Sequence, residues 1–68
     1  MIKLLITDME VGEILELTSR QVARLAKRRE IPFVMLPNKE IRYDPIDIEL
    51  WVRALSAQGG IVVQNEIQ

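Results

Sequence analysis

Apolar and polar residues alternate along the chain with the period of short amphipathic helices, and these segments begin in a similar way. Thr7 and Thr18 each place a hydroxyl directly before such a segment, with Glu or Gln three residues later. In this capping box the hydroxyl accepts a backbone N–H of the first turn and the later side chain returns the bond. Asp44 is a weaker cap, followed by Pro45 at the first helical position. Helices are therefore predicted to begin at Asp8, Ser19 and Pro45.

Within each predicted helix, apolar residues recur at intervals of three and four positions, which places them on one face. We expect each of these faces to be buried in a shared core. Trp51 belongs to the third face, and its spacing predicts a core residue rather than a platform on which bases stack. The three faces consist of Val11, Ile14 and Leu15, then Val22, Leu25 and Ala26, and finally Ile48, Trp51, Val52 and Leu55.

The segment between the second and third helices predicts a β-hairpin. After the second helix, Pro32 ends helical propagation, and residues 33–36 and 40–43 are predicted to form two short strands around a turn at residues 37–39. Only two residues separate the first helix from the cap of the second, so these helices must turn sharply across each other. The expected fold is mainly α with a small β-hairpin, a winged helix-turn-helix of three helices plus a wing.

We expect residues 1–55 to form this domain and residues 56–68 to form a C-terminal tail. The tail contains a glycine pair, which stops a helix, and an apolar run at residues 61–63. Ile46 and Leu50 lie off the apolar face of the third helix, and together with this run they offer more apolar surface than a small domain usually leaves exposed. Either the tail folds back on its own helix, or copies of the chain self-associate through it.

The net charge of −1 does not by itself suggest a nucleic-acid partner, but the charge is unevenly distributed. Residues 18–42 carry seven basic and two acidic side chains, a net charge of +5. The flanking segments, residues 1–17 and 43–68, each carry a net charge of −3. A basic segment of this kind is either a solvated helix face or a surface that attracts a polyanion.

The residue types present argue against an enzyme. The chain has no cysteine and no histidine, so disulfides, zinc-finger ligands and the usual general base are absent. Asp44 and Asp47 lie close together, but a helix cap explains them better than a metal site or an acid pair. We expect no catalytic residue, no cofactor, no metal and no small-molecule substrate. Because no segment has the roughly 18 apolar residues of a membrane span, we expect a cytoplasmic protein without membrane contact.

An ordered set of residues between about positions 5 and 54 resembles a known family. The set comprises Thr7, Glu10, Val11, Ile14, Leu15, residues 18–25, Glu30, Ile31, Pro32, Arg42, Tyr43, Asp44, Asp47, Ile48 and Trp51. It is similar to the excisionase-like and MerR-like winged helix-turn-helix DNA-binding domains of phages, mobile elements and bacterial regulators. The resemblance implies that the second helix enters the major groove of duplex DNA and that the wing touches the backbone or the minor groove.

Carried over by position, the resemblance places polar side chains of the second helix and the wing against DNA. Their chemistry fits this role, because arginine can bond two acceptors of guanine, glutamine can pair with adenine, and a serine at a helix N-terminus can donate to a phosphate. The DNA-binding residues implied in this way are Thr18, Ser19, Arg20, Gln21, Arg24, Lys27, Arg28, Lys39 and Arg42.

The chain departs from the family pattern in the turn, at the end of the second helix and in the wing. Family members usually have glycine at the positions of Glu16 and Arg29, which tend to require a positive φ. A non-glycine residue there costs about 1 kcal/mol or changes the local geometry. In the wing, only Lys39 and Arg42 can meet phosphates, so we expect few wing contacts.

The resemblance is compatible with a small excisionase that arranges DNA for a recombinase, a compact transcription regulator or a terminase-type DNA-recognition subunit. A module of this size buries only about 600–1,000 Å² on DNA, so we expect high occupancy to need neighbouring copies or bent DNA. The expected partners are thus duplex DNA and either a recombinase or a second copy held through residues 56–68. The alternative from another class is a protein-interaction adaptor whose basic face docks an acidic partner.

Overall fold

The computed structural model describes residues 4–57, which form three helices and a two-stranded antiparallel hairpin. In chain order the elements are α1 (Asp8–Leu15), α2 (Ser19–Lys27), β1 (Val34–Met35), β2 (Ile41–Arg42) and α3 (Pro45–Ala57). All three helix starts are confirmed, and the arrangement is compatible with a winged-helix layout. The expected tail lies outside the described residues, except that its first two positions form the end of α3. None of the described helices is long and apolar enough to cross a membrane.

The helices start where they do because the predicted caps form. The Thr7 N–H donates to Glu10 Oε1 at 2.9 Å, and Thr7 Oγ1 accepts the Glu10 N–H at 3.3 Å. Thr18 and Gln21 repeat both bonds, at 2.9 and 3.1 Å. Asp44 Oδ1 accepts a backbone N–H of the first turn of α3 at 2.9 Å. Each cap satisfies a donor that the helix itself leaves unpaired, which typically stabilises a protein by about 1 kcal/mol.

The turn between α1 and α2 depends on two residues with special backbone requirements. Glu16 adopts the left-handed conformation, with φ 60° and ψ 44°, which is the positive φ expected at this position. The N–H groups of Glu16 and Leu17 both donate to the carbonyl oxygen of Gly12, which closes the helix. A Cβ on Gly12 would collide with the carbonyl oxygen of Leu17. Gly12 therefore allows the chain to pass this close to α1 on its way into α2.

The hairpin is shorter than predicted, and each strand has only two residues. Val34 pairs with Arg42, and Met35 pairs with Ile41. The predicted turn between the strands is confirmed. Backbone bonds link the chain on both sides of it, and Lys39 within it has φ 70°.

The N-terminal segment extends the hairpin, a contact that the sequence pattern does not indicate. Ile6 and Tyr43 form an antiparallel bridge in which each N–H donates to the other carbonyl oxygen at 2.8 Å. Tyr43 directly follows β2 and Ile6 precedes α1, so the bridge ties the hairpin to the helices.

The core is a single cluster to which all three helices contribute. Trp51 is half-buried and packs against this cluster, as its spacing predicts. The buried members are Ile6, Val11, Val22, Ala26, Ile31, Tyr43 and Ile48.

The prediction that Ile14, Val52 and Leu55 are buried is wrong, because their side chains are 60%, 39% and 44% exposed. Ile14 and Val52 instead line an open groove of about 490 Å³ between α1 and α3. Ile14 lies in the last turn of the short helix α1, and Val52 and Leu55 lie in the second half of α3, where no other described element covers them. Periodicity identifies a common face, but burial also requires a neighbour opposite that face.

The first prediction concerns the close approach at Gly12. Gly12→Ala should lower the free energy of unfolding by about 1–2 kcal/mol, since overpacking against a backbone carbonyl outweighs the higher helix propensity of alanine. Urea unfolding measures this change. The matched control is Glu13→Ala at the next, exposed position, which should cause no loss. A Gly12→Ala variant as stable as the control would contradict this close packing.

The second prediction concerns Tyr43, whose pKa is raised by burial and, to a smaller extent, by the negative charge of Asp8. The folded chain then holds the phenolic proton more tightly than the unfolded chain, in which tyrosine titrates near pH 10. This contribution to stability is fully present below about pH 10 and is lost as the pH rises through the folded-state pKa.

Tyr43→Phe should therefore show a smaller loss of stability between about pH 9 and 11 than the original protein. Other groups titrate in both proteins, so the difference between the two urea-unfolding series isolates the phenol. Tyr43 is the only tyrosine of the chain, so tyrosinate absorbance reports its titration directly. Parallel pH profiles for the two proteins would contradict the shift.

Candidate nucleic-acid interface

The candidate site is built on α2, where four basic side chains recur at positions i, i+4, i+7 and i+8. This spacing puts them along one side of the helix, and all four residues are exposed. The segment Ser19–Lys27 contains no acidic residue. We call this surface the basic stripe, and it consists of Arg20, Arg24, Lys27 and Arg28.

The basic stripe faces outward because the opposite side of α2 is anchored in the core. Val22 and Ala26 are 0% and 2% exposed and belong to the same buried cluster as Val11 and Ile48. Exposing a side chain the size of valine costs about 1.5–3 kcal/mol, so rotation of α2 about its axis is unfavourable. The core therefore fixes the direction in which the arginines project.

Most of the basic stripe is not neutralised by the rest of the described chain. Within residues 4–57, Arg20, Arg24 and Lys27 have no acidic side chain within ion-pair distance. Arg28 lies 4.0 Å from Glu30, and both side chains are more than half exposed, so the pair is weak. As far as residues 4–57 are concerned, three cations of the stripe are thus free to meet an external anion.

The other DNA-binding candidates of α2 lie at its N-terminus. Two of them, Thr18 and Gln21, form the capping box. Gln21 Oε1 accepts the Thr18 N–H at 2.9 Å and the Thr18 hydroxyl at 3.3 Å. The amide that the resemblance assigns to adenine therefore already serves the helix start. Its Nε2 has no partner among residues 4–57. Ser19 is exposed at the first position of the helix.

The two candidates of the hairpin differ in their surroundings. Arg42 donates from Nη2 to Glu40 Oε1 and from Nη1 to the Ile41 carbonyl oxygen, each at 2.8 Å. Its guanidinium is thus engaged within the hairpin rather than projecting from it. Lys39 is exposed in the turn and has no ion pair in the described part of the chain. With respect to the described residues, the hairpin therefore presents one unpaired cation, Lys39.

A pocket of about 370 Å³ lies between α2 and the hairpin. We call it the notch. Arg29 lines it together with Lys27, although the sequence pattern marks Arg29 only as a departure from glycine. The apolar part of its lining includes Ala23, Phe33, Met35 and Ile41.

Charge in this protein is segregated by element. By formal charge Ser19–Lys27 carries +3, whereas Asp8–Leu15 carries −3 and Pro45–Ala57 carries −1. The described acidic residues do not gather into a group that could hold a metal ion. The strongest chemical feature of the described surface is thus a set of cations on one helix face.

Comparisons of this chain with protein-family models, with curated proteins and with solved structures gave no match. The functional conclusion therefore depends on the geometry and charge of the site.

Proposed function

We propose that the protein binds duplex DNA through the basic stripe, as a winged helix-turn-helix module of the excisionase-like and MerR-like kind. One observation carries this proposal: the basic and buried sides of α2 are opposite each other, and Arg20, Arg24 and Lys27 have no acidic partner within residues 4–57. A row of unpaired cations on an exposed helix matches the phosphate backbone of DNA, whose condensed counterions are released when the protein binds.

The dimensions of α2 suit the major groove. An α-helix with its side chains is about 10–12 Å in diameter, and the groove of B-DNA, about 12 Å wide, admits it. Arg20 and Arg24 lie one turn apart, so both can reach base edges from one face of the helix. Each can bond two acceptors of guanine, which gives the contact sequence preference as well as charge.

The ends of α2 and the hairpin supply contacts of a different kind. At Ser19 the helix N-terminus presents a hydroxyl and N–H groups without a partner among residues 4–57, which suit a phosphate oxygen. Lys39 can reach a second phosphate from the hairpin turn, whereas Arg42 is engaged by Glu40. We propose that the hairpin contributes little to affinity and that α2 supplies most of it.

The third prediction is a strong salt dependence of DNA binding. If four to six phosphates are contacted, log affinity should fall against log salt with a slope of roughly −3.6 to −5.4. Fluorescence anisotropy with a random duplex and with candidate target duplexes at several salt concentrations measures the slope. A higher affinity for one candidate duplex than for the random duplex would show that the binding is sequence-specific.

Arg20→Ala and Arg24→Ala should each weaken binding by about 1–3 kcal/mol if the side chain contacts a base. The matched control is Arg53→Ala, which removes the same charge from α3, where Arg53 is paired with Glu49 at 2.9 Å. A slope near zero, or an equal loss in the control, would favour the adaptor that binds an acidic protein partner.

The fourth prediction separates the capping role of Gln21 from a DNA contact. Gln21→Glu keeps the acceptor of the capping box and adds a negative charge at the helix N-terminus, so stability should be unchanged or rise by about 0.3–1 kcal/mol. DNA affinity should fall, because the amide donor is absent and a carboxylate faces the phosphates. Unfolding and anisotropy measurements on the same variant test both parts.

The control for this prediction is Glu10, which occupies the equivalent position of the α1 capping box. Glu10→Gln makes the reverse change away from α2 and should leave DNA affinity unchanged. Unchanged affinity in Gln21→Glu would place Gln21 outside the DNA contact.

A further inference from the structure

We propose that the notch is a sugar-phosphate subsite, in which Lys27 and Arg29 hold one phosphate of the DNA backbone and the apolar lining contacts the neighbouring deoxyribose. This inference rests on the proposed DNA binding, and it adds Arg29 to the residues that carry it. The location suits a backbone strand, because the notch lies beside the basic stripe and Lys27 belongs to both.

The composition of the notch matches this occupant. Lys27 and Arg29 are both exposed and have no acidic partner in the part of the chain that the structure describes. Between α2 and the hairpin, the side chains of Ala23, Met35 and Ile41 contribute apolar surface to the same pocket. A phosphate needs charge and hydrogen-bond donors, and the deoxyribose beside it is mostly hydrocarbon. The notch offers both, side by side.

The backbone of Arg29 supplies a second argument. Its φ of 60° lies in the left-handed region, which is unfavourable for every residue except glycine and tolerated by asparagine. The bonds that close α2 come from backbone groups: the Arg29 N–H donates to Ala26 and the Glu30 N–H to Leu25, both at 2.9 Å. Glycine would make the same bonds without strain. Positive φ also occurs at Glu16 and Lys39, so the strain supports a function of Arg29 only together with its position in the notch.

A cation near the C-terminus of α2 also interacts favourably with the helix dipole, which is the competing explanation for Arg29. Lys27 and Arg28 already place two positive charges in this last turn. If the dipole were the reason for Arg29, its removal would destabilise the protein. If the notch binds DNA, removal of the Arg29 side chain should stabilise the protein and weaken the complex with DNA.

The decisive variant is Arg29→Gly. Its thermal midpoint should rise by about 4 °C, since the strain is relieved. Its affinity for duplex DNA should fall by roughly threefold to tenfold, and the salt slope should become shallower by up to about 0.9, the value of one phosphate contact, because Lys27 remains at the same phosphate. The matched control is Glu16→Gly, which relieves the same φ of 60° at the end of α1. It should gain stability with no loss of DNA affinity.

Arg29→Gln gives an independent measurement, because it keeps the backbone cost and removes only the charge. It should show the same shallower slope with an unchanged thermal midpoint. An unchanged slope in both Arg29 variants, while Arg20→Ala still weakens binding, overturns the subsite and leaves the proposed function intact. If Arg20→Ala has no effect either, DNA binding through α2 itself fails.

The apolar side of the notch is tested with Met35→Ala. Met35 is 54% exposed, so the fold should tolerate the change. DNA affinity should fall by about twofold to fivefold with the salt slope unchanged, because the substitution removes an apolar interaction rather than an ionic one. Affinity equal to that of the original protein would remove the deoxyribose contact from the proposal.

Discussion

The burial of Val22 and Ala26 on one side of α2 is the constraint on which the rest of the structure depends. These two residues join the helix to the core, and the basic stripe projects outward only because the side opposite to it is held. A domain of this size has little stability to spare, so few other contacts can take over that function. The direction of the cations is thus a consequence of core packing rather than of any contact among the cations.

The backbone supports this arrangement at two places where the chain must pass close to itself. Gly12 lets the turn approach α1, which sets the position where α2 begins. The bridge between Ile6 and Tyr43 joins the hairpin to the segment before α1. Together they fix the hairpin and α2 relative to the same short helix, and the notch between them is a result of both.

The parts of this fold that the sequence predicts are those that depend on local signals. The helix starts are predicted because a cap and its partner lie within three residues of each other. The Ile6 bridge and the role of Gly12 depend on what lies opposite in space, and no local pattern carries that information. The same reason explains the exposure of Ile14, Val52 and Leu55.

Gln21 shows how one side chain can belong to both the fold and the site. A capping bond contributes about 1 kcal/mol, while a bidentate base contact is worth about 1–3 kcal/mol, so neither role clearly dominates. The two amide atoms have different surroundings: Oε1 accepts the N–H of Thr18, whereas Nε2 has no partner among residues 4–57. While the cap is intact, Gln21 can donate to an acceptor such as guanine O6 or thymine O4, but it cannot read adenine, which requires both amide atoms. In the proposed DNA complex, helix capping would therefore set the base preference at this position.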